Sequence, residues 1–141
     1  MKQDVVLSIR GEQAYADQEP DVIELVTNGV LEKSGDGWEL SYEETALTGM
    51  EGVTTTFTVA PDRIILTRTG KLNSHMIFRE GVTHDSLYQM EFGTLLLRVC
   101  ASQVFFDITP EGGVIDLVYD IEIENSATGL IDYHLVIRAL E

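Results

Sequence analysis

From Gly112 to Asn125 the chain reads GGVIDLVYDIEIEN, with apolar side chains at alternate positions. Ile115, Leu117, Tyr119, Ile121 and Ile123 make one row, and Asp116, Asp120, Glu122 and Glu124 stand in the other. Successive side chains of a strand point to opposite faces, so this alternation specifies a strand with one buried and one wet face. GLIDYHLVIRALE, at the end of the chain, repeats it. There Ile131, Tyr133, Leu135, Ile137 and Ala139 oppose Asp132, His134 and Arg138. A chain dominated by this period must close or stack its strands, because each one carries an apolar face to bury.

The same period runs through WELSYEE, VIELVTNGVLEK, TTTFTVAP, RIILTRTG, NSHMIFREG, SLYQMEFG, LLLRVCASQ and VFFDITP. Nine or ten strands are therefore expected, and no segment has helical spacing. The punctuation is short and built on Gly and Pro: SGDG, TGMEG, Pro61-Asp62, Glu80-Gly81, Phe92-Gly93 and Pro110-Glu111-Gly112-Gly113. Such brief connections imply antiparallel hairpins in a meander. Gly11 to Asp21 reads as a loop because of Pro20 and its polarity. Closure of the meander removes exposed strand edges, so the expected fold class is an all-β, antiparallel up-and-down barrel of about 8–10 strands. Its 141 residues suit one domain over 1–141.

Charge and composition exclude several function classes. Net charge is −15, from 24 acidic and 9 basic residues. Such a surface repels phosphate backbones and anionic lipid surfaces, so neither nucleic acid nor membrane is an expected partner. Cys100 is the single cysteine. It fits a reducing compartment, and no apolar leader precedes it, so a cytoplasmic location is expected. P-loop, GxGxxG, HExxH and GxSxG patterns are absent from the sequence.

Four pieces in order are LSYEE at 40–44, GVTTTFTV at 52–59, ILTRTG at 65–70 with HMIFREG at 75–81, and LYQMEFGTLLLRV at 87–99. With the terminal pair of long strands, they resemble the YwiB-like family of small bacterial proteins. The resemblance implies a calycin-like, lipocalin-like β-barrel. It implies no established activity. Barrels of that kind often hold one small, mostly apolar ligand.

The apolar rows contain polar interruptions. Trp38, Leu40 and Tyr42 are followed in their row by Glu44, and Ile64 and Leu66 by Arg68. Thr55 sits between Val53 and Phe57, Ser74 precedes Met76 and Phe78, and Ser86 and Tyr88 share the face of Met90 and Phe92. A lone buried carboxylate is costly, so Glu44 and Arg68 are expected to pair, with Thr55 or a tyrosine hydroxyl completing the hydrogen bonds. The candidate binding residues are Tyr42, Glu44, Thr55, Arg68, Met76, Phe78, Tyr88, Tyr119 and Tyr133. Three readings follow. In the first favoured for function, Arg68 and the hydroxyls orient a carboxylate or phenol while Met76, Phe78, Met90 and Phe92 grip an apolar body. In the second, the barrel is a structural or protein-interaction module and the polar groups only close it. In the third, Glu44 is the acid or base of an enzyme.

Other signals are weak. His75 and His134 fall on outward faces, and no histidine spacing suits zinc, so no metal and no cofactor are expected. Cys100 shares the face of Leu96 and Arg98 and reads as a packing thiol. Leu95–Leu96–Leu97 and Val104–Phe105–Phe106 suggest strands covered on both faces, by a loop or by the second copy of a homodimer.

Overall fold

The computed structural model describes residues 2–15, 19, 21–45, 51–90, 93–124 and 127–140. Of Tyr15, Met90, Ala127 and Thr128 only the backbone is described. The described residues form ten strands: β1 (Lys2–Tyr15), β2 (Asp21–Ser34), β3 (Gly37–Glu43), β4 (Val53–Ala60), β5 (Arg63–Gly70), β6 (Asn73–Phe78), β7 (Thr83–Met90), β8 (Gly93–Thr109), β9 (Gly112–Ile123) and β10 (Ala127–Ala139). Each strand pairs antiparallel with its neighbours in sequence, and β1 pairs with β10 from Val5↔Ala139 to Tyr15↔Gly129. The result is the closed up-and-down barrel that the alternation predicts.

Two of the expected boundaries are corrected. Gly11 to Tyr15 is strand, not loop, because β1 and β2 run on together as far as Gln13↔Asp21. The polar residues there are outward positions or cavity positions, which propensity alone reads as loop. Conversely, LLLRVCASQ and VFFDITP are one strand, β8, interrupted by a bulge between Ala101 and Gln103. The bulge flips the parity: Leu97, Val99 and Ala101 point inward before it, and Val104, Phe106 and Ile108 after it. Phe105 then faces outward and is 48% exposed, so this single chain does not cover both faces of that segment.

The inner rows pack most tightly at the end where β1 begins and β10 finishes. Val5, Leu7, Leu31, Leu40, Val59, Ile64, Phe78, Ile115, Leu135 and Ile137 are buried there. Full burial of each such side chain contributes roughly 1.5–3 kcal/mol. Gly37 lets β3 pass close to β4, since a Cβ at that position would run into the Val59 carbonyl oxygen. Phe57 stacks obliquely on Tyr133 at 5.8 Å and Phe78 on Tyr119 at 4.6 Å. These aromatic pairs form the boundary between the packed end and the other half of the interior.

Candidate functional site

The other half is hollow. A cavity of about 400 Å³ occupies the end where β3 leads to β4 and β9 leads to β10. Its walls are mainly aliphatic, with Ile9, Ile23, Leu25, Leu97, Ile121, Ile123 and Ile131, over a floor of Phe57, Leu66, Met76 and Leu117. Gly11 lines it too, and a Cβ there would meet only the Tyr133 ring at 3.8 Å.

Polar groups enter this apolar space from one side, and strand register explains why. Tyr42 lies opposite Thr55, Thr55 opposite Arg68, Arg68 opposite Ser74, and Ser74 opposite Tyr88. Five neighbouring strands thus each contribute one polar residue to a single row across the wall. Opposed residues in an antiparallel sheet stand about 4.5–5.5 Å apart, close enough to interact directly.

Glu44 follows Tyr42 at the cavity end of the same row. Its side chain is 1% exposed and that of Arg68 15%, as the parity of their rows predicts. Thr55 Oγ1 donates to Glu44 Oε2 at 2.5 Å, and Arg68 Nε lies 4.0 Å from the same oxygen. The second contact is an ion pair without a hydrogen bond. Across the cavity the hydroxyls of Tyr42 and Tyr133 meet at 3.3 Å. Burial, and then the Glu44 carboxylate beside it, push the Tyr42 phenol from 10.0 up to about 12. Burial, and next Tyr42, hold the Tyr133 phenol well above its ordinary value. Both phenols are therefore neutral at physiological pH and can each donate or accept.

Of the nine candidates, Tyr42, Glu44, Arg68, Met76, Tyr88, Tyr119 and Tyr133 line the cavity. Thr55 is fully buried behind Glu44 and acts through it. Phe78 is fully buried among the packed residues, against Tyr119, and does not line the cavity. The Met90 side chain and Phe92 lie outside the described residues. Gly11 and Gln13 were not expected to line the cavity, although they extend the inward row Val5, Leu7, Ile9. Reading Lys2–Tyr15 as a strand, which is not expected from the sequence, finds them.

The family profile described as Domain of unknown function (DUF1934) matches residues 7–137. The chain belongs to the DUF1934 family. The crystal structure of ywiB protein from Bacillus subtilis is similar to it, with a TM-score of 0.89. The match covers 99% of this chain and 94% of that one at 22% sequence identity. That likeness establishes a shared fold, in keeping with the YwiB-like resemblance of the motifs. No curated protein matches. The DUF1934 barrel described here has no helix long and apolar enough to cross a membrane among its described residues.

Proposed function

We propose that this barrel is a non-enzymatic binding protein that holds one small, mostly apolar molecule with a polar end. The observation that carries the reading is the cavity of about 400 Å³, which the side chains of the described residues leave unfilled at one end. Natural interiors pack densely, so a void of this size opposes stability unless something occupies it. The volume falls within the usual range for small-molecule pockets, about 300–1,000 Å³. At about 30 Å³ per water-sized group, it takes roughly a dozen non-hydrogen atoms. Aliphatic walls suit the apolar body, and the Tyr42, Tyr133 and Arg68 side suits the polar end. The fold is consistent with this but does not by itself support it. A reducing, cytosolic setting is part of the proposal and accords with a single, half-buried Cys100.

The test uses naphthalene, a fluorescent apolar probe small enough for the cavity, with the wild-type chain and Gly11→Leu. The added side chain projects into the cavity without a backbone clash. Saturable binding to the wild type, weakened at least tenfold in a fully folded variant, is the expected result. Equal binding to both, or none to the wild type, would sink the reading and favour a purely structural interior.

A further inference from the structure

The barrel wall has a gap between β6 and β7. These strands pair only at Asn73↔Gln89 and Ser74↔Tyr88. Continued register would oppose His75 to Leu87 and Met76 to Ser86, but those rows are unpaired; β6 is bonded there only to β5, and β7 only to β8. The cause lies at the far end of the hairpin. Gly81 N–H donates to the Ala101 carbonyl at 2.9 Å, and the Val104 N–H, next to the β8 bulge, donates to Glu80 Oε2 at 3.0 Å. The connection is therefore drawn onto β8 and holds the two strands apart.

Where they part, a recess of about 380 Å³ passes between them. It touches outward residues such as His75, Asp85 and Leu87, and also Arg68, Ser74 and Ser86, which belong to inward rows. Arg68 lines both this recess and the interior cavity. Among the described residues, the buried side-chain atoms without a hydrogen-bond partner are Arg68 Nε, Ser74 Oγ, His84 Nε2 and Ser86 Oγ. Arg68, Ser74 and Ser86 line this recess, and His84 lies on β7. Ser74 is 5% exposed. Buried polar groups are nearly always satisfied, so a cluster of unsatisfied ones at a single place points to a missing partner.

Resting on the reading above, we propose that the β6–β7 window is the polar subsite of the ligand, and that it takes an uncharged carbonyl group such as an amide or ester. Arg68 Nε–H can only donate, and the two serine hydroxyls are free to donate, so the group they share must accept. Charge decides between a neutral acceptor and a carboxylate. The Arg68 guanidinium already faces Glu44 at 4.0 Å. Asp85, the other acid at the window, is held by Arg98 at 2.9 Å. A ligand carboxylate would bring a second anion to one largely buried guanidinium, and among the described residues no second lysine or arginine lines the recess to offset its desolvation. A neutral carbonyl meets the donors without that cost.

The experiment reads displacement of naphthalene by octanamide and by octanoate, from the wild type and from the Ser74→Ala, Ser86→Ala double variant. Because these hydroxyls bond to no other group among the described residues, the variant is expected to keep or raise Tm, whereas a purely structural role would lower it. Octanamide should displace the probe at a concentration at least tenfold below that of octanoate. The double variant should lose roughly tenfold in octanamide affinity and leave naphthalene binding within twofold of wild type. Octanoate binding as tightly as octanamide, or octanamide indifferent to the two serines, overturns this inference while leaving the cavity reading intact. Failure of naphthalene to bind the wild type overturns both.

Discussion

Tyr42 and Tyr133 stand 91 residues apart in the chain, yet their hydroxyls meet at 3.3 Å inside the barrel. One comes from β3 and the other from β10, on different sides of the interior, so only closure of the sheet brings them together. The contact sits between the packed half of the barrel and the hollow half, and burial keeps both phenols protonated.

Those phenols make stability fall at high pH. Tyr42 is raised from 10.0 to about 12 in the folded chain. Between those values the unfolded chain has released a proton that the folded chain retains, so unfolding gains on folding. The stabilisation is complete below pH 10 and is lost as pH rises through about 12. A loss on the order of 2–3 kcal/mol is expected over that window. Denaturant titrations at stepped pH check it, and Tyr42→Phe should flatten the dependence.

The Glu44–Arg68 pair should show strong coupling. Arg68→Met leaves a carboxylate whose side chain is 1% exposed without its counter-charge, and should cost about 3–5 kcal/mol. Glu44→Gln should cost less, about 1–3 kcal/mol, because Arg68 borders the window and can turn toward water. The double variant should recover most of the larger loss. A double-mutant cycle in urea measures this, and additive losses would show that the two groups do not interact.

Truncations should cost unequally at the two ends of the barrel. Phe78 is fully buried in the packed half, so Phe78→Ala should cost about 3–5 kcal/mol. Ile123 is half-buried and lines a space already hollow, so Ile123→Ala should cost less than about 2 kcal/mol. Equal losses in thermal or urea unfolding would mean that the two halves are packed alike.

Hydrogen exchange should find the gap directly. Backbone amides of β6 from His75 to Phe78 that point toward β7 have no partner strand there. They should exchange far faster than those in the long, continuous β9–β10 pairing. Uniform protection across β6 would show a closed seam.

Much of this was legible in the residues. Side-chain direction along a strand is local and alternates every residue, so the rows of Tyr42, Glu44, Arg68 and Tyr119 could be assigned to the inner face without a structure. Short Gly and Pro connections likewise specified a meander. Boundaries were harder. No strand is read before Val22, because the short apolar piece of β1 is interrupted by Ser8 and Arg10, and because Pro20 and the polarity of Gly11 to Asp21 favour a loop. The bulge at Ala101/Gln103 makes one long strand look like two.

The sequence by itself thus determined an antiparallel barrel, its inner and outer faces, and an acid and a base among the inward groups. Only the tertiary structure decided that one half is packed and the other hollow, and that β6 and β7 part. Cavity volume depends on which side chains ten strands bring to the same level, and this is set by register around the whole ring. The window depends on where the 79–82 connection docks, a contact with β8 some twenty residues further along the chain that no local pattern encodes.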